Sequence, residues 1–243
     1  MVKRYWIRPR PRALALVVFG VAVFSVLCVW QVDRGHEKER LFAAFAGAAR
    51  QAPQTLDAAR GETARPVYPR VHVRGRYDSR YGYVLDDRQH AGQLGRMLFA
   101  VFMPDAGGPP LLVNRGFLAD REGGAAPAVP TLPAGETTLD ALYAPPPGVG
   151  FRMGGNALAR QSQWPKSTIY LDLGEVSADI GARVDPRILL LLPEPGTPFV
   201  RDWTPQVFPP ARHYGYALTW FAFAVVAVAI FIGMHWRAEP AST

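Results

Sequence analysis

Cysteine is nearly absent from this chain: Cys28 is the only one in 243 residues. No intramolecular disulfide can form, and a paired-thiolate carrier site for a soft ion such as Cu(I) is excluded. Cys28 lies in an apolar run, where a lone thiol acts as a small hydrophobe. The chain also lacks a P-loop, a Gly-x-Ser-x-Gly elbow, a His-Glu-x-x-His pair and a nucleotide-binding glycine motif. Its five histidines are dispersed, and no two carboxylates pair at sequence level into an acid–base dyad. These absences argue against an enzyme. Acidic residues are missing from the first twelve positions, which hold Lys3, Arg4, Arg8, Arg10 and Arg12. The net charge is +7; most of it therefore sits in that short tail, which is no nucleic-acid footprint.

Charge is missing from two longer stretches as well. Ala13 to Trp30 and Tyr214 to Met234 contain no ionisable group except tyrosine hydroxyls, apart from the Cys28 thiol. Each approaches the roughly 20 apolar residues that cross a ~30 Å hydrocarbon layer. The expected layout is a membrane hairpin: a cytoplasmic basic tail over 1–12, spans over 13–32 and 213–234, a polar domain over 33–212, and a tail over 235–243. The basic tail is a positive-inside signal, so both termini are expected in the cytoplasm and the domain outside. A cleaved signal peptide is the rival reading of the first span. No small-x-small site follows the run, and Leu27 rather than a small residue precedes Cys28, so an uncleaved anchor is expected.

About 180 residues between the spans make one domain's worth of chain. Asp33 to Arg50 is rich in helix formers and is expected to continue the first span as a helix. Val71, Val73 and Tyr77 then alternate with His72, Arg74 and Arg76, the period of a half-buried strand. Further strands are expected at Tyr81–Leu85, Arg96–Met103, Leu111–Phe117, Thr137–Tyr143, Thr168–Leu173 and Ile188–Leu192, with a short helix at Glu175–Gly181. Gly/Pro-rich breaks at Pro104–Pro110, Glu122–Gly135 and Ala144–Gly155 separate several of them. Long helices do not alternate with these strands. The fold class is therefore an α+β membrane protein, with two transmembrane helices flanking one strand-rich, mostly antiparallel extracytoplasmic domain.

Three motifs stand out. Trp30-Gln31-Val32-x-Arg34, with Lys38 and Leu41 after it, ends the first span. Leu111-Leu-Val-Asn-Arg-Gly-Phe117 lies in the domain. Arg212-His213-Tyr214-Gly215-Tyr216-Ala217-Leu218-Thr219-Trp220-Phe221 opens the second span. In this order, and with a Tyr-x-Asp segment at Tyr170 to Asp172, they resemble the surfeit-locus family of cytochrome c oxidase assembly proteins over nearly the whole chain. That family shows Leu-Gly-x-Trp-Gln-x-x-Arg, Val-Asn-Arg-Gly-aromatic and His-x-x-Tyr-x-x-Thr/Gln-Trp-aromatic at these places. Cys28 is a departure, since the family usually carries glycine there.

The resemblance implies a bacterial inner-membrane assembly factor that binds or delivers haem a to oxidase subunit I, with haem a synthase as a further partner. It also implies that His213 is the metal ligand. Imidazole is a common axial ligand of haem, and lipid would take the isoprenoid tail of haem a. Trp30, Gln31, Arg34, Tyr216 and Trp220 are expected to shape the pocket, and Arg212 to neutralise a propionate. The antiparallel spans bring residues 31–36 and 210–214 to similar depth, which makes His36 the next candidate ligand.

Bland readings stand beside these. Histidine, Trp30, Tyr214 and Trp236 at a membrane boundary also serve as interfacial anchors. Trp220 lies too deep for that belt, so it packs on the other helix or on a ligand. His72 and His90 are read as surface or strand residues, and His235 as a marker of the cytoplasmic interface. Asn114-Arg115-Gly116 is read as structural, with Gly116 allowing a bulge or close backbone approach, and contact with a propionate or a partner is its alternative. A sensor would need an output module that neither short tail can form. A scaffold that stabilises an oxidase assembly intermediate without binding haem is the remaining alternative. Gly20, Ser25, Ala222, Ala224 and Ala227 would suit close helix packing in that role.

Overall fold

A computed structural model describes residues 4–61, 68–121, 127–148, 155–205 and 207–238. Parts of the breaks expected at Glu122–Gly135 and Ala144–Gly155, namely 122–126 and 149–154, and the outer parts of both tails lie outside the described residues. The chain divides into two compact units, Met1–Leu41 with Val207–Thr243, and Phe42–Gln206.

The first unit is built on two helices. Strand β1 (Arg4–Trp6) precedes helix α1 (Pro11–Ala48), which runs unbroken through the apolar span and the polar segment after it. The helix-rich reading of Asp33–Arg50 therefore holds, ending two residues earlier. Near the other end of the chain come helix α4 (Pro210–His235) and strand β8 (Trp236–Ala238). Pro210 at the first position suits the fixed φ of a helix start. Both helices are long and apolar enough to cross a membrane, and almost none of either is buried by protein. Leu16, Phe19, Val26, Leu218, Phe221 and Ile230 all project outward. A soluble protein would bury such residues in a core; here lipid is the medium that suits them.

Between the helices the chain forms α2 (Leu56–Gly61), β2 (Arg70–His90), β3 (Gln93–Pro104), β4 (Leu111–Ala119), β5 (Glu136–Ala144), β6 (Lys166–Thr168), α3 (Leu173–Ile180) and β7 (Ile188–Leu191). Pairing runs β3-β4-β7-β5-β2, and β2 also pairs with β3, so five strands close on themselves as a small barrel. Most pairs are antiparallel, whereas β2–β6 and β4–β7 are parallel. The expected strands Val71–Tyr77 and Tyr81–Leu85 are two halves of β2. An irregularity between Asp78 and Gly82 bends it, so that one strand can pair with β5, β3 and β6.

The barrel interior follows from the period-two pattern. Val71, Val73, Phe102, Leu111, Val113, Leu139, Ala141, Tyr143, Leu189 and Leu191 come from all five strands and form one cluster. Each large aliphatic or aromatic side chain buried there contributes about 1.5–3 kcal/mol. Leu56 and Ala59 of α2 pack into the same cluster beside Tyr143 and the start of β2, closing one end of the barrel. Polar side chains complete that plug: Arg60 Nε donates to Asp185 at 2.9 Å, and the Tyr143 hydroxyl donates to Asp185 at 2.5 Å. On the outer face, Phe99, Val101, Leu112 and Ile188 pack with Leu158, Leu171 and Val176. Strand β4 is thus apolar on both sides, which explains its continuous run instead of an alternation.

One expected strand is corrected. Thr168–Leu173 is not a strand over that range: β6 stops at Thr168 and α3 starts at Leu173. Asp172 is the reason, since its carboxylate accepts from the Gly174 and Glu175 amides as an N-cap. Capping the helix there forces the preceding residues out of the ladder.

Candidate functional site

Helices α1 and α4 meet through side chains whose spacing is helical. On α1 these are Phe24, Gln31 and Gly35; on α4 they are His213, Tyr214 and Trp220. Trp220 stacks on Phe24 with centroids 5.9 Å apart and a 20° interplanar angle. One membrane-level step further along, His213 Nδ1 lies 2.9 Å from Gln31 Oε1. A carboxamide oxygen can only accept, so Nδ1 is the ring nitrogen that donates to Gln31, and Nε2 is the one left over. That Nε2 atom is shielded from solvent and has no hydrogen-bond partner among the described residues.

Gly35 keeps this arrangement close. A Cβ there would sit 2.5 Å from Tyr214 Cε1, so only a glycine admits the tyrosine ring against α1. His36 turns its ring edge to Tyr214 at 5.9 Å and is exposed. It is Gln31, not His36, that reaches His213.

The other expected site residues divide. Arg34 pairs with Glu37 at 2.6 Å and lies 5.8 Å from the Trp30 ring centroid, so its charge is already compensated. Arg212 lies 4.9 Å over the Phe208 ring and is paired with no carboxylate among the described residues. Tyr216 is exposed, and Trp220 belongs to the contact with Phe24 rather than to the surroundings of His213. No three His, Cys, Asp or Glu side chains gather into a metal-ligand set among the described residues. Any metal at His213 would have to bring most of its ligands with it.

Three features escaped the sequence reading. Gly35 and Phe24 belong to the His213 surroundings, and the Phe24–Gln31–Gly35 spacing on one helical face was the available signal. Strands β1 and β8 pair antiparallel, Tyr5 opposite Arg237, with the Ile7 amide donating to the His235 carbonyl at 2.8 Å. That ribbon ties the flanks of the two helices together, and His235 stacks within it on Phe231 and Trp6. Arg201 is the third.

In the barrel unit the Asn114-Arg115-Gly116 motif is a β-bulge. Leu98 pairs with Gly116 and Phe99 with Asn114, leaving Arg115 as the extra residue. Gly116 has φ of +129°, and a Cβ there would come 2.7 Å from that of Phe199. Only glycine fits both constraints. Arg115 faces inward in phase with Leu111 and Val113, and it donates to the Pro130 and Thr131 carbonyls at 2.7 and 3.0 Å. The bulge and the close backbone approach expected at Gly116 are both present.

No curated protein matches the chain. A model of the SURF1 family matches residues 18–225, a stretch that takes in most of both helices, the bulge motif and the Gln31–His213 contact. The chain therefore belongs to the SURF1 family, whose role is in cytochrome c oxidase assembly.

Proposed function

We propose that this chain is a non-catalytic assembly factor that holds haem a for oxidase subunit I, with His213 as the residue that would hold its iron. The observation that supports this most is the His213 imidazole itself. Its Nδ1 is engaged by Gln31, and its Nε2 is buried with no partner. Metal-ligating histidines usually donate their other ring N–H to a neighbouring acceptor, which fixes tautomer and orientation. An unpartnered buried nitrogen is costly, of order 1–3 kcal/mol, unless something occupies it.

Haem a would bring its own macrocyclic nitrogens to the iron, so one protein nitrogen would suffice to hold it. Gln31 would hold the imidazole plane while the atoms that shield Nε2 move aside. Arg212, which has no carboxylate partner among the described residues, would face a propionate, and Arg34 would stay with Glu37. The five basic residues before α1 favour a cytoplasmic N-terminus, which would put the barrel unit in the periplasm of a bacterial inner membrane. Subunit I and a haem a synthase are the partners this reading requires.

The test is the optical spectrum of protein purified in detergent from cells that also make haem a, beside His213→Ala. A haem a spectrum lost in the variant supports the ligand assignment. Equal haem in both moves the ligand elsewhere. No haem in either, with oxidase assembly still dependent on the protein, leaves a scaffold.

A further inference from the structure

The barrel is closed by α2 at one end and open at the other. Strands β5 and β7 present Thr137, Leu139 and Leu191 at the open end, and with Tyr77 of β2 they line a cavity of about 560 Å³. A cavity of that volume lies within the range of small-molecule sites, and barrel mouths are among the places where such sites occur. Its walls mix apolar side chains with threonines, two arginines and the carboxylates of Asp140 and Glu194. Arg115 and Arg201 both reach the mouth, and each side chain is nearly buried.

Two guanidiniums in one half-dry cavity need anions. Among the described residues Arg115 has none: it donates to the Pro130 and Thr131 carbonyls, and its guanidinium carbon lies 4.7 Å over the Phe199 ring. Arg201 donates to the Arg115 and Leu192 carbonyls at 2.9 and 2.8 Å. Its one carboxylate, Glu194, sits at 3.5 Å on an exposed side chain. Asp140, also at the rim, is taken by Arg70 and His72. Burial pulls the Arg115 guanidinium below its ordinary range and Arg201 adds to that, while Tyr77 opposes it. A bound anion would relieve that cost, because charge-assisted hydrogen bonds to a carboxylate are roughly twice as strong as neutral ones.

We propose that the open end of the barrel is a binding site for a small amphipathic carboxylate. Its apolar body would lie against Leu139, Leu191 and Tyr77, and its carboxylate against Arg115 and Arg201. The site is independent of His213.

The probe is 2-naphthoate, measured by equilibrium dialysis against the full chain in detergent, with uptake by empty micelles subtracted. The expected result is saturable binding of naphthoate and much weaker binding of 2-naphthylmethanol, which lacks the charge. Arg201→Gln should weaken naphthoate roughly ten- to a hundredfold, the value of a lost hydrogen bond to a charged group. Thr137→Phe, which fills the mouth while leaving both arginines, should abolish it. Arg74→Gln, an exposed arginine paired with Glu136, should change nothing. The thermal midpoint of each variant shows whether it is folded, and Thr137→Phe carries the test if Arg201→Gln is not. No saturable uptake, or equal uptake by folded Thr137→Phe, or equal binding of the alcohol, overturns the proposal.

Discussion

Replacing Gln31 by leucine separates the two jobs of the His213 contact. Leucine is close to glutamine in volume and suits the apolar surroundings, so the helices should still form. What disappears is the acceptor 2.9 Å from Nδ1. The proton on Nδ1 then has no partner, and with Nε2 already unpartnered the ring has nothing to fix its tautomer or plane. A lost buried hydrogen bond costs about 1–3 kcal/mol. Loss of an outer-shell partner of a metal-ligating histidine typically costs 10- to 100-fold in affinity. The two figures agree, since 1.4 kcal/mol is about tenfold. Haem titrated into apoprotein in detergent should therefore bind about 10- to 100-fold more weakly to Gln31→Leu, and Gln31→Glu, which restores an acceptor, should recover much of it. Unchanged affinity in Gln31→Leu would refute the claim that the Gln31 contact prepares Nε2 as a ligand.

Other outcomes test the fold and its surroundings. Gly35→Leu should push Tyr214 off α1 and weaken haem retention without lowering expression, because its side chain would need the space now held by the ring. Gly116→Val should lower stability by at least about 2 kcal/mol in a denaturant melt, since it adds both left-handed strain and a clash with Phe199. Asp185→Leu should cost about 3–5 kcal/mol, because the buried partner of Arg60 and Tyr143 is lost. The Tyr77 phenol, raised by burial to about 12, favours its neutral form in the folded state. Its stabilisation is intact below the ordinary tyrosine value near 10 and is lost as pH rises toward 12. The phenolate absorbance of the parent and of Tyr77→Phe should be nearly equal at pH 10, where an exposed tyrosine would be about half ionised, and should diverge only toward pH 12.

The spans, the continuation of the first into a polar helix and most strands were legible because burial imposes a period on sequence. Val71, Val73 and Tyr77 alternate because only one face of that part of β2 turns inward. The closure of the barrel was not legible. It depends on β2 pairing with both β5 and β3, and pairing partners leave no mark in one sequence. The strand expected at Thr168–Leu173 failed because apolar residues there pack against the barrel's outer face as part of a helix start. A single capping aspartate decided between the two. At the site, His213 and Gln31 were each legible as motif members, but their mutual contact was not. Residues 182 positions apart in sequence meet only through the antiparallel path of two helices.

The bulge motif shows why a residue type seen in sequence has two meanings until its backbone is known. An arginine within an apolar strand normally points to solvent, where it costs nothing. At Arg115 the alternation of β4 itself turns the side chain inward, in phase with Leu111 and Val113, and the bulge with Gly116 shifts the residues after it. The guanidinium then enters the barrel, where it must find acceptors. Two carbonyls of the 130–131 segment supply neutral ones, which satisfies its hydrogen bonds but leaves its charge uncompensated. A motif read as purely structural thus creates an electrostatic demand that the barrel's own side chains do not meet. Arg115→Met would separate the two roles. If the motif is structural alone, the variant should lose stability as it loses its hold on Pro130 and Thr131, and nothing at the mouth should respond to salt. If the buried charge draws an anion, the parent's thermal midpoint should rise with added naphthoate while that of a folded Arg115→Met stays flat. A parallel rise in both would show that Arg115 has no part in anion binding.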